Sequence, residues 1–291
     1  MSAPAARGCT CGTTHGNGCA DAALAALSSC AVRRAVHPAC PSLVPLAMHM
    51  PRYPWVDALR GVAMVWMTAF HFCFDLANAG LLQADFYKDS LWTVQRTCIL
   101  SLFLLCAGAG QAIATAQAQS WRRFARRWSQ IAGCALLVSA GSYLMFPRSY
   151  IYFGVLHGMA VMLLITRFIG PRGPWLWLLG ATLITLYWLA PWAIQAGWWD
   201  SVLNDKPFNW LGLISTKPIT EDYVPLVPWL GVMFWGMAAM QWILARHATD
   251  RLHQADIPAL RPLAFLGRWS LSYYMLHQPV MLGALWLWQR N

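Results

Sequence analysis

The chain has 291 residues, of which 58% are hydrophobic and 11% charged, with a formal net charge of +10. Ordinary globular domains carry about 25% charged residues, so the composition excludes a soluble globular enzyme and points to a polytopic membrane protein. The basicity comes from 18 Arg against 3 Lys, set in short gaps between apolar runs without the basic face or motif that nucleic-acid binding requires.

Residues 1–47 differ in kind from the rest, being rich in Ala, Cys, Ser, Thr and Gly. Five of the nine cysteines, Cys9, Cys11, Cys19, Cys30 and Cys40, fall here, at spacings that fit no zinc pattern. The stretch Ala20–Val32 is too short to span a bilayer, and the order of segments is wrong for a signal peptide. We read 1–47 as a disordered tail or a mis-assigned start, with translation beginning at Met48 or Met50, and 48–291 as one transmembrane domain. N-terminal sequencing of the native protein checks this; a mature start near Met1 would overturn it.

From Met50 on, seven apolar runs follow at about 55–79, 92–115, 130–147, 151–169, 174–194, 225–245 and 263–288. Roughly 30 Å of hydrocarbon needs about 20 helical residues, and backbone in lipid must bond to itself. The predicted fold is therefore all-α, a transmembrane helix bundle of about seven spans. Cys73, Cys98, Cys106 and Cys134 lie within the runs and are read as small core residues.

Arg52, Arg122, Arg123, Arg126, Arg127, Arg167, Arg172, Arg246, Arg251 and Arg261 fall in one set of gaps or before the first run. The alternate set holds Lys88, Arg148, Lys206, Lys217 and the terminal Arg290. The basic side is cytoplasmic, which places the N-terminus inside and the C-terminus outside. The Trp-rich gap 195–224, with Asp200, Asp205, Glu221 and Asp222, then lies outside.

Ionisable residues within spans are costly and point to function. In the first span, Asp57, Arg60, Gly61, Met64, Thr68, His71 and Asp75 fall on one stripe at 100° per residue. Arg60 and His71 are separated by about 16 Å along the axis. His71 and Asp75 are i, i+4 neighbours, close enough for the carboxylate to orient the imidazole as a general base. Asp57 and Arg60 also suit a simple i, i+3 pair with snorkelling at the membrane boundary.

His157 lies at the start of the fourth span. His277 lies in the seventh, on one face with Ser270 and Tyr273. Each could be a hydrogen-bonded packing residue, and three histidines on separate spans would form a metal site only if they converged. Glu221 and Asp222 lead into the sixth span through Pro225 and Pro228. They suit either a helix N-terminus or a polar lip for an acceptor.

The stretches Asp57-Ala58-Leu59-Arg60-Gly61 with His71, Tyr152-Phe153-Gly154-Val155-Leu156-His157, Thr220-Glu221-Asp222-Tyr223-Val224-Pro225-Leu226-Val227-Pro228-Trp229, and Leu266-Gly267-Arg268 through His277-Gln278-Pro279 occur in this order. The chain from about Arg52 onward thereby resembles the heparan-alpha-glucosaminide N-acetyltransferase catalytic-domain family, in its bacterial branch. Arg60 followed by ten residues and His71 also resembles the corresponding feature of the type-three membrane acyltransferases.

The resemblance implies an integral membrane acetyltransferase of a bacterial inner membrane, with acetyl-CoA as donor and a sugar or glycan acceptor on the outer side; from the cysteine and histidine spacings no metal is expected. By the same resemblance Arg60, with Asp57 beside it, would bind the donor, and His71, assisted by Asp75, would act in acyl transfer as base or transient acyl carrier. His157, Glu221, Asp222 and His277 would line the acceptor side. A homo-oligomer is compatible with the sequence. Two other readings stand beside it. One is a transporter for a small solute or lipid-linked sugar, with the same residues relaying protons, although no repeat is evident. The other is a non-catalytic membrane partner, with the polar stripe used for helix contact.

Overall fold

The structure, a computed structural model, describes residues 53–170, 172–194, 199–246 and 258–290. The expected tail 1–47, with its five cysteines, lies outside them. Among the described residues the chain is helical, with no strand and one isolated parallel bridge between Phe153 and Tyr223. The helices are α1 (Pro54–Asn78), α2 (Ser90–Ala116), α3 (Trp121–Met145), α4 (Val155–Ile169), α5 (Trp175–Ile194), α6 (Trp199–Asn204), α7 (Lys206–Asn209), α8 (Leu226–Ala245), α9 (Arg261–Arg268) and α10 (Ser270–Arg290).

Helices occupy all seven predicted runs, but among the described residues α2, α5 and α8 are the three long and apolar enough by themselves to cross a membrane. In α1 the stripe of charges dilutes the apolar character. In α3 the first two turns carry Arg122, Arg123, Arg126 and Arg127. The predicted start of that run, at residue 130, is corrected to Trp121. Ser120 caps the helix there, accepting from the Arg123 N–H at 3.4 Å, so the arginines ride on the helix rather than in a loop. The last predicted run is two helices divided at Trp269. Of the four cysteines read as core, Cys106 is buried, Cys73 and Cys134 are half-buried and Cys98 is exposed.

The core is built on α2 and α8. Their closest approach is made by Gly108, where a Cβ would strike the Met233 carbonyl, and Gly236, where it would strike that of Leu105. Small residues that let backbones touch are the usual device for helix packing in lipid. Leu104, Met233, Met237, Met162 and Leu176 fill this centre with no exposure to speak of. Outward, Trp192 and Leu144 are each 83% exposed. Such an apolar exterior fits lipid rather than water.

The junctions fall into two groups. The Arg167 guanidinium donates to the Gln119 carbonyl and lies 5.0 Å over Trp121. The Gly173 N–H donates to Gln241 Oε1 at 3.2 Å. The α2–α3 and α4–α5 junctions therefore meet each other and the end of α8. At the other end, Glu221 and Ser149 bond reciprocally at 2.6 and 3.0 Å. There Thr220 donates to the Tyr150 carbonyl at 2.9 Å, and Lys217 lies 5.4 Å over the Tyr87 ring. The α2–α3 and α4–α5 junctions are thus gathered with the end of α8 at one end, and the loop 217–224 closes the other.

Candidate functional site

The polar stripe of α1 is a seam. A Cβ on Gly267 would strike the Asp57 carbonyl, and one on Gly61 would strike that of Leu263. Backbone contact of this kind fixes α9 against the first turns of α1. With that register set, α10 runs on beside α1, bringing Thr68 to Tyr273, His71 to His277 and Asp75 to Gln278. Every polar member of the stripe beyond Arg60 therefore faces α10.

At the arginine-rich end, Arg60 Nη1 donates to Asp57 Oδ1 at 2.9 Å, and Nη2 reaches the Cys106 carbonyl at 3.5 Å. Gly110 leaves space beside the guanidinium. The pair is about one-fifth exposed, so it is shielded but reachable.

About three turns on, the His71 and His277 rings lie against each other, tilted by 58°, with centroids 5.3 Å apart. Phe70 covers His71 edge-on at 5.8 Å. Tyr273 stacks on His277 at 6.0 Å, with the planes within 6°. Thr68 donates to the Met64 carbonyl at 2.9 Å, so the Tyr273 hydroxyl donates to Thr68 across 2.7 Å.

Asp75 does not take the partner expected of it. Among the described residues its carboxylate accepts from the Gln278 amide, at 2.9 and 3.2 Å. The i, i+4 spacing to His71 allows a contact, but Gln278 approaches from α10 and occupies both oxygens. Asp75 thus ties α10 to α1 one turn beyond the histidines.

His157 belongs to another structure, the N-terminus of α4. Its Nδ1 accepts from the Gly154 N–H at 3.3 Å, which leaves Nε2 to donate to Ser139 at 3.0 Å. The Ser139 hydroxyl donates in turn to the Ile151 carbonyl at 2.7 Å. Asp222 accepts from the Val155 N–H at 2.7 Å, and a Cβ on Gly154 would strike that carboxylate. The first N–H groups of a helix have no partner within it, and here His157 and Asp222 satisfy two of them. With His157 so engaged, the three histidines do not converge. Among the described residues no group of three or more His, Cys, Asp or Glu could hold a metal.

Arg96 escapes a reading of loop charges because it lies inside α2. Together with Lys217 it is within electrostatic reach of Asp222. An arginine about one turn into an apolar run is the available signal.

Burial raises the Asp222 pKa above the ordinary carboxylate value, while the Val155 N–H, Arg96 and Lys217 pull it back part of the way. The folded protein therefore holds this proton more tightly than the unfolded chain. The associated stability is complete below about pH 4 and is lost as pH rises through the raised value. Asp222→Asn is expected to flatten that loss, since the amide oxygen still accepts from Val155. Asp222→Ala removes the cap and is expected to cost about 1–2 kcal/mol. Thermal unfolding in detergent from pH 4 to 8 checks both.

The sequence model of the catalytic domain of heparan-alpha-glucosaminide N-acetyltransferase matches residues 52–279. The chain belongs to the heparan-alpha-glucosaminide N-acetyltransferase catalytic-domain family. The match takes in both ends of the seam, from Arg60 to His277. No curated protein and no solved structure matches the chain. Family membership and the apolar helices together indicate a membrane acetyltransferase.

Proposed function

We propose that this protein moves an acetyl group from acetyl-CoA, bound at the arginine-rich end, to a hydroxyl or amine of a sugar or glycan at the opposite end. The observation that carries the reading is the α1 seam. On one helix face it holds a shielded guanidinium and, about 16 Å along the axis, an imidazole against a second imidazole. That separation is comparable to an extended pantetheine arm, so one donor reaches from Arg60 to His71.

In this reading Arg60, held in place by Asp57, binds the phosphate-bearing end of the donor, and His71 stands at the point of transfer. Fixing both ends of the donor before reaction lowers the barrier by proximity. Asp75 acts through Gln278, locking the two helices that carry the histidines. Glu221 and Asp222, with His157 bracing α4 beneath them, form the acceptor lip.

The seven helical runs are taken as seven spans of a bacterial inner membrane. The gathering of the arginine-rich junctions at one end favours that end as cytoplasmic. The N-terminus is then inside and the C-terminus outside. The family's general use of acetyl-CoA supports the choice of donor.

The test is transfer of label from [14C]acetyl-CoA to D-glucosamine by purified protein in detergent, with thiol release measured in parallel. Acceptor-dependent thiol release matched by labelled glucosamine is the expected result. A well-folded protein that neither binds nor consumes acetyl-CoA would overturn the reading; proton-coupled solute uptake by the same protein in vesicles would then favour a transporter.

A further inference from the structure

The seam presents two imidazoles, and the geometry distinguishes them. The His277 residue is 8% exposed. Its Nδ1 lies 2.7 Å from the Tyr274 carbonyl. A carbonyl only accepts, so Nδ1 carries the proton and donates it. In the neutral ring Nε2 then holds the lone pair, and Nε2 is buried with no hydrogen-bond partner among the described residues. The ring is held in this state by stacked Tyr273, itself anchored on Thr68, and by the Gln278–Asp75 bond one residue on. A buried imidazole whose tautomer is fixed by backbone and whose lone pair is unused is arranged to receive a hydrogen-bond donor.

We propose that His277 is the general base that takes the proton from the acceptor, while His71 serves the donor side of the same pair. This rests on the acetyltransferase reading. The acceptor oxygen or nitrogen attacks the acetyl carbonyl, forming a C–O or C–N bond as the thioester C–S bond breaks. The acceptor's proton passes to His277 Nε2 and from there, by way of His71 on the donor side, to the departing CoA thiolate, leaving free thiol and both rings neutral. The acceptor group is therefore a hydroxyl or an unprotonated amine.

The test compares wild type, His277→Ala and His277→Gln with [14C]acetyl-CoA and two acceptors. D-glucosamine needs a base; hydroxylamine is nucleophilic enough at neutral pH to do without one. Binding of acetyl-CoA is expected to stay within about threefold, and transfer to glucosamine to fall about a hundredfold or more. Enzyme-dependent transfer to hydroxylamine, above the rate without protein, is expected to fall at least about tenfold less than transfer to glucosamine, and added free imidazole to restore glucosamine transfer in His277→Ala about tenfold or more. Equal loss with both acceptors, absence of imidazole rescue, or glucosamine transfer within about threefold of wild type would each overturn the assignment. A wild type that transfers to neither acceptor and binds no acetyl-CoA would overturn the underlying function instead.

Discussion

His71→Ala is expected to lower acetyl transfer by about 10²–10⁴-fold while acetyl-CoA binding stays within about threefold. The histidine lies past the middle of α1, and its ring packs against Phe70 and His277. Its removal leaves the Arg60–Asp57 pair and the Gln278–Asp75 bond untouched, so both ends of the seam keep their register. The loss should therefore appear in turnover rather than in donor affinity. Single-turnover transfer and equilibrium binding on the same preparation separate the two. Transfer within about threefold of wild type would remove His71 from the chemistry.

Arg60→Ala is expected to have the opposite signature, weakening acetyl-CoA binding about 10- to 100-fold. A charge-assisted hydrogen bond contributes about 1.5–3 kcal/mol, and about 1.4 kcal/mol is tenfold in affinity. Removing the cation also strands Asp57, now a shielded carboxylate without its partner at 2.9 Å. The double variant Asp57→Asn, Arg60→Ala separates donor binding from that local cost, because it removes the stranded charge. If the double variant binds acetyl-CoA as wild type does, Arg60 holds only Asp57. Arg60→Lys is expected to recover part of the affinity, since it keeps the charge but not the planar fork.

Much of the candidate site was legible in the sequence because an α-helix has one period. Residues of α1 at 100° intervals share a face wherever the helix packs, and the predicted stripe from Asp57 to Asp75 is the face that meets α9 and α10. The Asp57–Arg60 pair is local and follows from i, i+3 spacing. The face shared by Tyr273 and His277 follows in the same way.

Partners across helices were not legible. Asp75 was read with His71, the only candidate its own helix offers, whereas Gln278 reaches it from a segment 203 residues away. The sequence leaves His157 as an acceptor-side group or a hydrogen-bonded packing residue, and only the structure shows its two nitrogens bonded to Gly154 and Ser139. Ser139 is on α3, whose start was itself misplaced because four arginines resemble a loop until Ser120 is seen to cap them.

Composition and the length of the apolar runs together pointed to a helical membrane protein, since backbone in hydrocarbon must satisfy its own hydrogen bonds and the runs match the length of a helical span. Periodicity determined which side chains share a face. Only the tertiary structure decided which faces meet and at what register. Those depend on where Gly61 and Gly267 let α1 and α9 touch, and where the 220–224 loop caps α4. Such contacts join distant segments through backbone geometry, for which a linear sequence carries no period.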